Sequence, residues 1–82
     1  MQNSKDQFFL VLGGTLWRIN DETKTYETYS QSSDSWESMR WLKDKLDHEV
    51  ECAKHLGQHL SYEEALKTKE NLRARYLERI KK

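Results

Sequence analysis

Proline is absent from this 82-residue sequence, glycine occurs three times and cysteine once. A single cysteine excludes an intramolecular disulfide framework, so nothing in the composition points to an oxidising compartment and we expect a cytoplasmic protein. No Gly/Ser-rich linker and no internal repeat divides the chain. The sequence therefore predicts one domain over residues 1–82.

Long hydrophobic runs are lacking too. The longest, Phe8 to Leu12, is far short of the ~20 residues that span a bilayer. The polar segment 1–7 lacks the basic and apolar regions of a secretory signal, so we expect a polar tail there, no signal peptide and no membrane partner. Leu, Ile, Val and Phe make up about one-fifth of the residues, which predicts a thin core that gains stability from oligomerisation or a partner.

Catalytic signatures are missing as well. Gly13-Gly14-Thr15 lacks the Lys-Ser/Thr pair of a phosphate-binding P-loop, and neither GxSxG nor HExxH occurs. Carboxylates are plentiful, but no spacing singles out a pair, and so small a core leaves little room for a dry pocket. We expect a protein that is not an enzyme and that uses no cofactor.

What the sequence does contain is a change of hydrophobic period near Ser30. Before it, short aromatic and β-branched segments separated by turn residues predict a three-stranded antiparallel meander over residues 8–30. Gly13-Gly14 is predicted to form a two-residue turn. Lys24 occupies the loop position that requires a positive φ, where glycine is usual.

Counting residues across the two turns predicts the register of this meander. Leu12 is expected opposite Thr15, and Asn20 opposite Thr25, which brings the charges of Arg18 and Glu27 together. One face then carries Phe8, Leu10, Leu12, Trp17, Ile19 and Tyr26, and is the expected core. The other face carries an apolar cluster of Phe9, Val11, Leu16 and Tyr29. This second face is either covered by a helix or the N-terminus, or it is a protein-binding surface or dimer seam.

After Ser30, apolar residues recur every three or four positions and predict two helices, over 34–56 and 61–81. The pairs Asp34/Glu37 and Ser61/Glu64 have the spacing of capping boxes, and Gly57 is a typical helix stop. The short connection predicts that the helices fold back as an antiparallel hairpin. The predicted fold class is α+β, with three strands followed by two helices.

Trp41 lies off the inward stripe of the first predicted helix. An outward tryptophan is either a surface residue packed beside the sheet edge or an anchor for a partner, because tryptophan is enriched at the centres of interfaces. We predict a protein-binding site that comprises Trp41 and the apolar cluster Phe9, Val11, Leu16 and Tyr29.

All three histidines and the cysteine fall within twelve residues, as His48, Cys52, His55 and His59. These are zinc-ligand types. His48 and Cys52, one turn apart, could share an ion, but His55 lies ~10 Å along the helix axis from His48. The spacing favours a solvated helix face over a metal site, with a half-site completed by another chain as the alternative.

The last 22 residues carry seven basic and four acidic side chains, whereas residues 1–60 carry seven basic and ten acidic ones. Ala53, Gly57 and Ala65 have a spacing that partly resembles a helix-turn-helix motif, but Glu63 and Glu64 would oppose phosphates at the start of its second helix. A nucleic-acid interface would use the basic residues Lys69, Arg73, Arg75, Arg79, Lys81 and Lys82.

These observations favour a non-catalytic module that binds a larger protein or protein complex as a regulator, adaptor or inhibitor. Its composition is typical of small bacterial and phage accessory proteins. The alternative hypothesis is a nucleic-acid-binding regulator that uses the basic last helix, and a homo-oligomer is compatible with either.

Overall fold

A computed structural model describes residues 6–81, so most of the polar segment 1–7 and Lys82 lie outside the described residues. The chain folds as α+β, as predicted. The structure contains β1 (Gln7–Val11), β2 (Thr15–Asn20), β3 (Thr25–Ser30), β4 (Ser35–Ser38), a 3₁₀ segment (Arg40–Lys45), α1 (Leu46–Leu56), β5 (Gln58–Leu60) and α2 (Tyr62–Ile80).

The five strands form one antiparallel sheet in the order β4-β3-β2-β1-β5. The predicted meander of three strands is therefore extended by one strand at each edge. β5 pairs with β1 through three residue pairs, from Phe8 opposite Leu60 to Leu10 opposite Gln58. A three-residue strand carries too little hydrophobic pattern to be distinguished from a connection, which is why the sequence predicted a loop there.

The predicted helix over 34–56 is wrong in its first half. Asp34 is a turn residue with a φ of 52° rather than a helix N-cap, and β4 follows it directly. Trp36 lies opposite Tyr29 and packs edge-on against its ring, with the ring centres 5.8 Å apart. This cross-strand aromatic pair stabilises a hairpin that the local capping signal does not reveal. The α-helix begins only at Leu46.

The two helices do not form a hairpin but cover opposite faces of the sheet. β5 lies between them in the chain and pairs at the sheet edge, so the chain passes round that edge from one face to the other. The core on the α1 side consists of Phe9, Trp17, Ile19, Met39, Val50 and Ala53. The core on the α2 side consists of Phe8, Leu16, Tyr29, Leu60, Ala65 and Leu72.

The register between β1 and β2 differs by one residue from the prediction. Val11, not Leu12, lies opposite Thr15, because the turn contains three residues and Gly14 N donates to Val11 O at 3.0 Å. A slip of one residue moves every side chain of a strand to the other face. Phe9 therefore joins Trp17 on the α1 side, and Leu12 is 93% exposed at the turn instead of lying in the core.

The register between β2 and β3 is confirmed. Arg18 lies opposite Glu27, and Arg18 Nε donates to Glu27 Oε1 at 2.9 Å. The positive φ predicted for Lys24 is also present, at 55°.

The helix predicted over 61–81 is confirmed as α2, including its capping box. Ser61 Oγ accepts from Glu64 N at 3.1 Å, and the Glu64 carboxylate accepts from Ser61 N at 2.9 Å. Donation from the Ser61 backbone N–H to the Glu64 carboxylate, and then the Ser61 side chain, lower the pKa of Glu64. Within residues 6–81, neither helix has the length and apolar character that crossing a membrane requires.

The C-terminal part of α2 extends past the end of the sheet. Tyr62 packs on Phe8, and Leu72 reaches the β1–β2 turn at Gly14. Arg73 donates to the backbone carbonyls of Gln31 and Ser32 in the β3–β4 turn, at the same end of the sheet. After Leu72, every described residue of α2 is exposed or half-buried. About two turns of helix therefore project beyond the sheet.

Candidate protein-binding surfaces

Trp41 is displayed on the 3₁₀ segment with 69% of its surface exposed. The other two tryptophans are covered: Trp17 is buried, and Trp36 is half-buried against the ring of Phe8. Leu42, the neighbour of Trp41, packs against the core on the α1 side, as does Leu46. Trp41 is thus an outward side chain on a segment that is anchored immediately beside it.

The backbone around Trp41 is fixed at both ends. Met39 N donates to Tyr26 O at 2.9 Å, which ties the start of the 3₁₀ segment to β3, and Leu42 N donates to Met39 O at 3.0 Å. Lys43 has a φ of 52° and a ψ of −114°, a conformation that a residue with a Cβ rarely adopts. Such a conformation costs roughly 1–3 kcal/mol and persists only when the surrounding structure imposes it.

The apolar cluster predicted from the strands is not a common surface. Phe9 and Val11 lie under α1, whereas Leu16 and Tyr29 lie under α2. Phe9, Leu16 and Tyr29 are buried and Val11 is half-buried. Each half of the cluster is thus covered by a different helix, rather than the whole cluster by one helix or by the N-terminus. In the folded monomer the chain's own helices therefore cover the side chains of Phe9, Leu16 and Tyr29.

The hydroxyl of Tyr29 has a strongly raised pKa. Its hydroxyl donates to Asp34 Oδ1 at 2.6 Å. Burial raises the pKa of Tyr29 to about 12, and the adjacent Asp34 carboxylate adds to the shift, because a nearby negative charge opposes formation of a phenolate. The hydroxyl is therefore a structural hydrogen-bond donor at physiological pH.

A second exposed apolar surface lies on α2. Only Ala65 and Leu72 are buried among the described residues of α2, while Tyr62, Leu66, Leu77 and Ile80 are exposed. Leu66 and Leu77 lie more than 100° round the helix from Leu72, so they belong to a different face of α2. The angle around the helix axis can be counted from the sequence, and it would have separated Leu66 and Leu77 from the residues that face the sheet.

We call the row Leu66, Glu70, Arg73 and Leu77 the α2 ridge. It borders a groove of about 360 Å³ that also contacts Asp34 of the β3–β4 turn and the small residue Ala74. Arg73 uses Nη1 for both of its bonds to the β3–β4 turn, and its guanidinium lies 5.7 Å from the ring centre of Tyr76. The ridge thus carries two leucines with a fixed cation and a carboxylate between them.

The histidine and cysteine side chains fall into two places. On α1, His48 Nε2 lies 3.6 Å from Cys52 Sγ, and His55 borders the same shallow depression. His59 lies on β5, with its ring centre 5.1 Å from that of Phe9. Gly57 ends α1 and β5 takes His59 away from the helix. In residues 6–81, no group of three or more His, Cys, Asp or Glu has a geometry that could hold a metal ion.

The basic residues of the predicted nucleic-acid interface divide into ones that contact other parts of the chain and ones that are exposed. Arg73 is bound to the β3–β4 turn, and Lys69 Nζ lies 5.7 Å above the ring of Tyr29. Arg75, Arg79 and Lys81 are exposed, and Lys82 lies outside the described residues. The predicted nucleic-acid interface is thus reduced to the projecting end of the helix.

Comparison of the chain with protein-family models, with curated proteins and with solved structures gives no significant match.

Proposed function

We propose that this protein is a non-catalytic protein-binding module that acts as a small regulator, adaptor or inhibitor of a larger protein or protein complex. The observation that carries the proposal is the exposed Trp41 on the anchored 3₁₀ segment. Tryptophan contributes a large apolar area and is strongly enriched among the residues that dominate binding energy.

The way in which Trp41 is held supports this role. A partner that binds a side chain on a mobile loop must also order the loop, which costs about 0.5–1.5 kcal/mol per immobilised side chain. Here the backbone on either side is already tied to β3 and to the α1-side core. The uncommon conformation of Lys43 is part of the same arrangement, since strained residues cluster at functional segments.

The proposed setting is the cytoplasm, for which the single cysteine is the supporting feature. The proposed partner is a protein with an apolar pocket that accepts an indole ring, lined at its rim by polar groups.

The test compares Trp41→Ala with Leu56→Ala, a matched control that truncates another exposed apolar residue, on α1. A partner is first captured from the native host with the wild-type chain, and its affinity for each variant is then measured. We expect Trp41→Ala to weaken binding about thirtyfold, equivalent to about 2 kcal/mol, with a melting temperature within a few degrees of wild type. Leu56→Ala should change neither value.

Two results would contradict the proposal. Unchanged affinity of Trp41→Ala would remove Trp41 from the interface. Unfolding of the isolated Trp41→Ala protein would instead assign the residue to the core.

The alternative proposal, nucleic-acid binding, is favoured by one observation: Arg75 and Arg79 are exposed one turn apart on the projecting end of α2. Binding through phosphates falls steeply with salt, with a log–log slope of about −0.9 per phosphate contacted on duplex DNA. Retention of nucleic acid that weakens with this slope, and that Arg75→Gln and Arg79→Gln each reduce, would favour the alternative. Binding of a protein through Trp41 should survive moderate salt.

A further inference from the structure

We propose that the chain forms a symmetric dimer in which α2 packs antiparallel against α2 of a second copy along the α2 ridge. This inference goes beyond the proposed function, because it uses neither Trp41 nor the 3₁₀ segment.

The spacing of the α2 ridge is that of a helix-pairing seam. Leu66, Glu70, Arg73 and Leu77 follow one another at intervals of four, three and four residues, which places them in one row along the helix. Ala65 and Leu72, which bind α2 to its own sheet, lie in a neighbouring row. The helix therefore has one row for the sheet and a second row that faces solvent.

The order of residues along the ridge is complementary to itself when reversed. In an antiparallel pair with a two-fold axis between Glu70 and Arg73, each Leu66 lies opposite Leu77 of the second copy. Each Glu70 then lies opposite Arg73 of the second copy. The interface contains two leucine pairs that flank two ion pairs, and the same surface serves both chains, as two-fold symmetry requires.

The same charges exclude the parallel arrangement. With the helices parallel and in register, Glu70 would face Glu70 and Arg73 would face Arg73, and like charges across a helical interface oppose pairing. The charge pattern thus favours a second copy of this chain as the partner, with its α2 running antiparallel. A helix without this sequence would leave Glu70 and Arg73 unmatched.

The monomer leaves the ridge open to a second helix. Leu66 is 42% and Leu77 38% exposed, and the groove beside the ridge is bordered on its other side by Asp34 of the β3–β4 turn. Ala74 beside the ridge is small and permits close approach. Arg73 uses Nη1 for its bonds to the β3–β4 turn, so its other nitrogens can donate to a carboxylate of the second copy. The turn also orients the guanidinium before association, which lowers the cost of forming the ion pair.

The first arm of the test measures oligomeric state by analytical ultracentrifugation. A seam of three turns makes a small interface, so wild-type protein should show a concentration-dependent dimer at roughly tens to hundreds of micromolar. Leu77→Asp should raise the dissociation constant at least tenfold without lowering the melting temperature, since Leu77 is exposed in the monomer. Leu56→Asp, an exposed leucine on α1, is the matched control and should dimerise like wild type.

The second arm tests the pairing of charges. Glu70→Arg and Arg73→Glu should each be monomeric, because each places like charges across the two-fold axis. An equimolar mixture of the two variants should form a heterodimer, because every charge then meets its opposite. The double variant Glu70→Arg/Arg73→Glu should again form a homodimer. If loss of the β3–β4 turn contacts unfolds Arg73→Glu, the oligomeric states of Glu70→Arg and Leu77→Asp still test the proposed dimer.

A wild-type chain that remains monomeric at several hundred micromolar would overturn the proposal. So would a Leu77→Asp variant that dimerises as well as Leu56→Asp. Trp41→Ala should dimerise normally, so failure of the dimer and failure of the proposed partner binding are separate outcomes.

Discussion

At the scale of single residues, Tyr29 connects three parts of the molecule. Its ring packs against Trp36 of β4, its hydroxyl donates to Asp34 in the β3–β4 turn, and Lys69 of α2 lies over its face. The phenol is stabilised in its neutral form, with a pKa of about 12 against 10.0 for an exposed tyrosine. Its contribution to stability must therefore depend on pH.

We expect this contribution to be lost in alkaline solution. The pKa is higher in the folded than in the unfolded state, so the stabilisation is complete below about pH 10 and disappears as the pH rises through about 12. The loss should be of order 2 kcal/mol. Urea unfolding of wild type and Tyr29→Phe at pH 9 and pH 11.5 measures it, because other titrating groups cancel in the difference. Parallel losses in the two proteins would show that Tyr29 is not the group responsible.

Lys24 offers a second prediction at this scale. A residue with a Cβ at a φ of 55° is less favourable than glycine by about 1 kcal/mol. Lys24→Gly should therefore raise the free energy of unfolding by about that amount. Lys24→Ala is the control, since it removes the lysine side chain but keeps the Cβ, and it should give no gain. Equal gains in both variants would assign the effect to the loss of the charge.

At the scale of elements, the sequence predicted correctly the helix that is stabilised by contacts between residues close together in the chain. The capping box of Ser61 and Glu64 joins residues three apart, and the sequence placed α2 correctly. The pair Asp34/Glu37 has the same spacing, yet β4 forms there. The stabilising partner is Tyr29 across a turn, and local periodicity does not report such a partner. β5 depends entirely on β1, about fifty residues away.

The candidate site was predicted in part. The sequence predicted that Trp41 points outward from a helix over residues 34–56, but α1 begins only at Leu46. Trp41 is exposed for another reason: its neighbour Leu42 on the 3₁₀ segment packs against the core. The strand residues of the site were assigned from a β1–β2 turn one residue too short. Two consecutive glycines are compatible with either turn length, so the sequence alone could not distinguish the registers.

Gly57, where α1 meets β5, gives a prediction for these elements. Its φ of −81° suits any residue, but a Cβ there would lie 2.3 Å from Ala53 O and 3.2 Å from Phe9 Cβ. Since a backbone carbonyl cannot move freely, we expect Gly57→Ala to destabilise the fold by about 1–3 kcal/mol. Chemical denaturation checks this, with Gln58→Ala at the exposed neighbouring position as control. A Gly57→Ala protein as stable as wild type would mean that α1 ends differently.

At the scale of the whole molecule, two cores share one sheet. Leu16 and Ile19 are both fully buried, and they belong to β2 but to opposite faces. A change on either face therefore alters strands on which the other face depends. The two cores should behave as one cooperative unit.

We expect Leu72→Ala on the α2 side and Ile19→Ala on the α1 side each to cost about 2–5 kcal/mol. Far-UV circular dichroism and tryptophan fluorescence should follow the same transition in both variants, and two separate transitions would contradict a shared unit. Leu46→Ala should cost less than Leu72→Ala, because Leu46 is half-buried rather than central to a core.

The position of β1 between β2 and β5 has a consequence for the newborn chain. Strands β1 to β4 can pair once residue 38 has left the ribosome, but the other edge of β1 finds its partner only when residues 58–60 emerge. At about 5–20 residues per second, the intervening twenty residues take about one to four seconds to synthesise. For that interval Phe8, Phe9 and Leu10 present an unpaired apolar edge, the feature through which strands of different chains join. Crowded polysomes and fast overexpression should thus favour aggregation before the sheet is complete.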